Sequence, residues 1–451
     1  MLNLGLLGFV GGLLAVGLRR PFLWVLAYIY IDVVSPQKIA WAILPSIPIS
    51  LIVFLAAFGG WLVADDKTGT RFTLRQFLLT LLLLYCGYTT LTADFPDAAA
   101  DKWSWVWKAL VFAIFLPLTL RTRLRIEATA LALVLSAASI VISAGVKTVG
   151  GGGGYGTLQS LVADNNGLYE GSTLSMAAIA IIPLVIWLAR YGTVFPRHWT
   201  VSLFAGALVF ACLLIPVGTQ TRTGLLCAGL LAVLFLRTTR RRALWFFLMG
   251  AALVIAVPFL PQSYTERMST IENHQADESA STRIAVWSWT LDYVADHPLG
   301  GGFNAYLGNQ IRYERKDAPA GGDGYVVDKA RAYHSAYFEM LGEQGWPGLL
   351  LWLLLHGLGI VQLELTRIRL RKSDDPLDQS DRMLATALQQ GHLVYLFGAL
   401  FVGIAYQPFV YMLIALQIAL VEQVRRRRQP ARRFQRTGPR VMRPLSPGNT
   451  A

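Results

Sequence analysis

The chain is dominated by a succession of apolar runs, each roughly 15 to 22 residues long, separated by connections that are arginine-rich on every second turn. A helix needs about 20 apolar residues to cross about 30 Å of hydrocarbon, and these runs lack the period-two alternation of barrel strands. Helices also satisfy their own backbone polar groups, which a bilayer cannot do. With 54% hydrophobic and 15% charged residues over 451 positions, the chain carries more apolar surface than one soluble core hides. The expectation is an all-α polytopic membrane protein with about 12 (12–13) transmembrane helices. Candidate spans are 2–18, 21–34, 46–63, 76–92, 104–120, 126–145, 172–189, 201–217, 222–236, 243–260, 346–366, 388–405 and 408–423.

Charge sets the orientation. One set of connections holds Arg19 and Arg20; Lys67, Arg71 and Arg75; Arg121, Arg123 and Arg125; Arg190 and Arg197; Arg237 to Arg242; and Arg367 to Lys372. That set is read as cytoplasmic. The other set is poor in bases, as at Asp94, Asp97 and Asp101, and includes the long polar segment between the tenth and eleventh spans. Keeping Arg371 and Arg425 on one side requires a break at Tyr406-Gln407-Pro408. The net charge of +13 is no nucleic-acid signature, because residues 425–451 carry nine arginines and no acid, leaving +4 elsewhere. That run reads as an anchor to anionic membrane lipids, followed by a disordered tail. The expected organisation is N-terminal helices (1–145), a Gly-rich outer loop (146–171), central helices (172–260), a long outer insertion of loop and short helix (261–345), C-terminal helices (346–423) and a basic tail (424–451). Cys86, Cys212 and Cys227 lie in or beside apolar runs, so no disulfide framework is available.

Three outer segments carry chemistry. Thr219-Gln220-Thr221-Arg222-Thr223-Gly224 sets an arginine among hydroxyls at the mouth of an apolar helix. It has two readings: an interfacial arginine reaching for headgroups, or a fixed cation whose planar fork grips a diphosphate at a helix N-terminus. In Ser281 to Trp287, serine and threonine are expected to cap a helix with Arg283 and Trp287 on one face. An interfacial amphipathic helix is an equally good reading. In Arg331 to Leu349, His334 opens a helix that Gly345 and Pro347 then turn into a span, with Arg331 near enough to favour the neutral imidazole. His356 and His392, inside spans, read as structural.

Taken in order with Asp296-His297-Pro298-Leu299-Gly300-Gly301-Gly302-Phe303, these segments resemble the O-antigen ligase and polymerase superfamily over roughly residues 200–365. The stretches Leu18 to Phe22 and Ser35 to Lys38 with Trp41, and Asp164-Asn165-Asn166, are similar to the exosortase-associated O-glycosylation ligase branch. The resemblance implies a GT-C-like fold in the bacterial inner membrane with a periplasmic active site. It implies metal-independent, inverting transfer of a glycan from undecaprenyl diphosphate to a hydroxyl of lipid A core sugar or of a protein. Arg222 and Arg283 would hold the diphosphate, and His334 would orient or deprotonate the acceptor. Arg331, Trp287, Tyr337 and Gln220 would support them. Ser335 departs from the asparagine that often follows this histidine.

The chemistry is consistent on its own terms. Expelling a diphosphate needs positive charge, from a metal or from guanidinium groups, and a base at the incoming hydroxyl. The sequence supplies arginines and no His/carboxylate cluster at metal spacing, Asp94, Asp97 and Asp101 being the nearest approach, so no cofactor is expected. A polymerase of the same superfamily would use the same donor and residues. A transporter of lipid-linked glycan would place paired ionisable groups at mid-membrane and often shows repeated halves; here the spans are nearly charge-free.

Overall fold

The computed structural model describes residues 2–40, 44–150, 168–239, 241–256, 278–314 and 325–428. Most of the glycine run, Asp164 to Asn166, Trp41, the chain end after 428 and part of the long insertion lie outside them. Every segment read as a span overlaps a helix among the described residues. The helices are α1 (Leu2–Gly17), α2 (Phe22–Val34), α3 (Pro36–Ile39), α4 (Ile49–Ala64), α5 (Leu74–Leu91), α6 (Pro96–Thr119), α7 (Arg123–Val149) and α8 (Gly171–Tyr191). They continue as α9 (Trp199–Gly218), α10 (Arg222–Thr238), α11 (Arg242–Ala256), α12 (Glu278–Asp296), α13 (Ala336–Leu370), α14 (Pro376–Gly398) and α15 (Pro408–Arg428). Among the described residues, 6 helices are long and apolar enough to cross a membrane, and Gly5–Gly17, α2 and α4 are apolar but shorter. The protein is an all-α polytopic membrane protein.

Helix α8 runs through the interior, packed on α7, α9, α10 and α14, while α15 lies among α6, α7, α13 and α14. The basic helix ends gather at one end of the bundle. There Arg125 grips Asp65 through two hydrogen bonds of 2.6 and 2.8 Å, and Arg427 and Arg428 both pair with Asp378. Part of the arginine run expected to meet lipid is thus bound within the protein. The span expected at 388–405 begins instead at Pro376, because the acids of its first turns are neutralised by those arginines and Asp375 caps it through the Leu377 N–H. The helix ends at Gly398, and a loop at 399–407 reaches Pro408, the break the sequence required.

Arg75, grouped above with loop cations, lies inside α5 and is 1% exposed. Its Nη2 donates to Gln417, whose amide meets His392, whose other ring nitrogen lies 2.6 Å from His356. The histidines are joined in a polar string that ties α5, α13, α14 and α15 together, as a bilayer interior demands of buried polar groups.

In the insertion, α12 is followed by an antiparallel hairpin absent from the sequence reading, β1 (Gln310–Glu314) and β2 (Tyr325–Lys329), with Gln310 opposite Lys329. Helix α13 is two helices joined at Gly345, where φ is +60° and ψ is −166°. The Gly300-Gly301-Gly302 turn crosses this joint. Gly301 and Gly302 N–H groups donate to the carbonyls of Gly342 and Glu343, and Trp346 N–H donates to Pro298. A Cβ on Gly345 would come within 2.6 Å of the Gly300 nitrogen, and Gly300 and Gly302 also have positive φ. Both glycine motifs exist because two backbones touch. Gly345→Ala should destabilise the protein by about 1–3 kcal/mol through strain at this joint; an unchanged denaturation midpoint in detergent would count against this account.

Candidate functional site

Opposite the arginine-rich end, the starts of α6, α8 and α13, one face of α12 and the 399–407 loop surround a polar cavity of about 450 Å³. Arg283 and His334 both line it. Helix α12 is already formed at Glu278, so Ser281 and Thr282 lie within it instead of capping it. Arg283 and Trp287 do share a face. Trp287 stacks on Phe338, with ring centroids 4.9 Å apart, and its indole N–H donates to the Tyr333 carbonyl at 2.9 Å. The tryptophan therefore fastens the arginine helix to the residue preceding His334.

His334 does not open the helix; Ser335 is the N-cap and Ala336 the first helical residue. Its φ is +49°, and Gln220 (+52°) and Asn304 (+60°), a further cavity residue, are left-handed as well. Such conformations in residues other than glycine cost energy and persist where the surroundings enforce them. The imidazole lines the cavity and the residue keeps an exposed face, with neighbouring protein displacing part of its water. That partial loss of water, then the charge of Arg283 and last that of Arg331, lowers its pKa, against an opposing pull from Glu170. The neutral, proton-accepting form is favoured, as the sequence implied, but burial and Arg283 outweigh Arg331. Arg331 itself is occupied by Asp328, with Nε 2.7 Å from the carboxylate, and is not a lining residue.

Arg222 is the first residue of α10 and does not line the cavity. Its turn is held to the start of α8: Ser175 Oγ lies 2.7 Å from Thr219 Oγ1 and 2.8 Å from Thr221 Oγ1. Gly224 admits this contact, since a Cβ there would meet Ser175 at 2.7 Å. The next turn of α8 toward the cavity presents Glu170 and Ser172 to it. Glu170 also caps α8, accepting from the N–H groups of Ser172 and Thr173 at 3.0 and 2.6 Å. Gln220 stays with Arg222 outside the cavity, and Tyr337 is structural, its hydroxyl donating to the Leu396 carbonyl at 3.0 Å.

One element the sequence reading passed over is a buried ionic cluster on the cavity wall. Lys102 Nζ lies 2.6 Å from Glu339 and 2.7 and 2.9 Å from the two oxygens of Glu343. The Asn304 N–H donates to Glu343 and the Ala405 N–H to Glu339, each at 2.9 Å. The ammonium sits 4.9 Å from the Tyr406 ring centroid. Two signals pointed here: a lone lysine in an otherwise acidic outer connection, and Glu339 and Glu343 at i, i+4 on the helix that follows His334.

In NMR titration, with His334→Gln identifying its resonance, His334 should titrate below 6.5. Arg331→Gln, which removes a cation, should raise that midpoint, and Glu170→Gln, which removes an anion, should lower it further. A midpoint at or above the ordinary value would contradict this electrostatic picture.

Residues 1–193 match a family of unknown function, DUF5935, and residues 207–353 match the family described as O-Antigen ligase. No curated protein matches the chain. The second match contains Arg222, Arg283 and His334 together with the glycine crossing and the Gly345 joint. Residues 207–353 thus carry an O-antigen ligase family domain, which places the likeness to that superfamily in this part of the chain.

Proposed function

We propose that the protein is an O-antigen ligase-type glycosyltransferase of the bacterial inner membrane. It moves a glycan from undecaprenyl diphosphate to a hydroxyl of lipid A core sugar or of a protein, on the periplasmic face. The observation that carries this reading is the cavity onto which Arg283 and a histidine of lowered pKa, both from the O-antigen ligase match, open together. The arginine-rich helix ends at the opposite pole support a cytoplasmic assignment for that pole and a periplasmic one for the cavity.

The residues divide the work. Arg283 binds the donor diphosphate and holds the charge that grows on it as the anomeric C–O bond breaks. Arg222, one helix start away, meets the distal phosphate or the approach to it. Neutral His334 takes the proton of the acceptor hydroxyl as its oxygen bonds to the anomeric carbon. Attack from the side opposite the leaving group inverts that centre, and the diphosphate departs with the bonding electrons. The guanidinium charges stand where a metal would otherwise be needed.

The test is transfer from undecaprenyl-diphosphate glycan by the reconstituted protein, with lipid A core and protein acceptors offered side by side. His334→Ala should lower transfer by roughly 10²- to 10⁴-fold with donor binding retained. Arg283→Ala should weaken donor binding by about 10- to 100-fold, the worth of a charge-assisted hydrogen bond. Chelators should leave the rate unchanged. Transfer that survives His334→Ala would overturn the base assignment, and product built only on further lipid-linked glycan would make the protein a polymerase.

A further inference from the structure

The cavity is shared between the two matched regions. Asp101, Lys102, Trp105, Glu170 and Ser172 come from residues 1–193, whereas Arg283 and His334 come from the ligase domain. The site is therefore incomplete without the N-terminal region, and the chemistry of that contribution is distinctive.

Lys102 brings a cation, but it is spent. Two carboxylates hold it at 2.6 and 2.7 Å, so a phosphate approaching it would meet Glu339 and Glu343 first. Asp101, one residue earlier on α6, is exposed and its carboxylate has no partner among the described residues. Trp105, one helical turn on, lines the same cavity and brings an aromatic side chain to it. Tyr333, 3% exposed, also lines it, and its buried hydroxyl has no hydrogen-bond partner among the described residues. That hydroxyl lies against Gly342 and is closed off from the cavity, so Tyr333 contributes shape to the wall and no polar contact to a ligand. Around the cavity four carboxylates face two fixed cations, Lys102 and Arg283. With Arg283 given to the diphosphate, what lies against the rest of the wall must carry no negative charge, yet must offer hydroxyl donors to Asp101 and an apolar face to Trp105. An uncharged sugar ring meets all three requirements.

We propose that the N-terminal region of unknown function supplies the sugar subsite of the glycan site: Asp101 and Trp105 bind the first, uncharged sugar of the lipid-linked donor. Lys102 is a positioning residue that keeps Glu339 and Glu343 in the wall. The inference rests on the diphosphate reading of Arg283 given above.

The test uses the full chain in lipid nanodiscs and three synthetic probes: farnesyl diphosphate, its glucosyl ester and its glucuronosyl ester. Glucosyl farnesyl diphosphate should bind about tenfold tighter than farnesyl diphosphate, and the glucuronosyl probe about tenfold weaker than the glucosyl one. Asp101→Asn and Trp105→Ala should each erase most of the glucosyl advantage and leave farnesyl diphosphate affinity unchanged. Asp101→Asn should also narrow the gap between glucosyl and glucuronosyl probes. Equal binding of all three probes by the wild-type protein, or a glucosyl preference untouched by both substitutions, would overturn the subsite. Failure of every probe to bind would overturn the diphosphate reading instead, and the subsite with it. Loss of all three affinities together in Arg283→Gln, against loss of the glucosyl advantage alone in Asp101→Asn, separates the two claims.

Discussion

One ammonium group holds the cavity wall together. Lys102 joins α6 to Glu339 and Glu343 on the first half of α13, and those carboxylates in turn accept backbone N–H groups from Asn304 and Ala405. Four stretches of chain, distant in sequence, meet around one charge. Bringing three ionised side chains out of water is costly, and only a full set of short hydrogen bonds offsets it. Here the aromatic rings of Tyr406 and Phe303 complete the shell. Removing the lysine would leave two carboxylates facing each other with no cation, so the cluster is kept or lost as a unit.

The backbone around this cluster is held in conformations that side chains seldom adopt. Asn304 and His334 are both left-handed and both line the cavity, and Gln220 is left-handed in the turn that presents Arg222. Each is flanked by contacts that fix it: Asn304 by its N–H to Glu343 and its amide to Ala98, His334 by the Trp287 bond at Tyr333 and by Ala336 N–H on Ala399. Strain concentrated in this way is the mark of a site whose geometry is set before a ligand arrives.

Much of this was legible in the sequence, because bilayer thickness and charge bias act on long stretches. Spans, the break before Pro408 and the arginine-rich pole all followed from run length and loop composition. The segments bearing Arg222, Arg283 and His334 were visible because polar residues stand out at the mouths of apolar helices. What escaped depended on partners far away in the chain. Asp378 and Asp381 read as loop residues until Arg427 neutralises them, and Arg75 reads as a loop cation until Gln417 meets it inside the bundle. Glu339, Glu343 and Lys102 are unremarkable one by one, and only their convergence makes them a wall. Trp287 was read as sharing a face with Arg283, and its fastening role was hidden because nothing local announces Phe338 beneath its ring.

That fastener has a consequence for motion. The Trp287 indole grips the carbonyl just ahead of the imidazole, and its ring lies flat on the helix just beyond. A tilt of α12 therefore pulls on the chain at His334 as well as on Arg283. The two cavity side chains are thus mounted on one fastened unit, and the Trp287 contacts oppose any change in the spacing of their backbones.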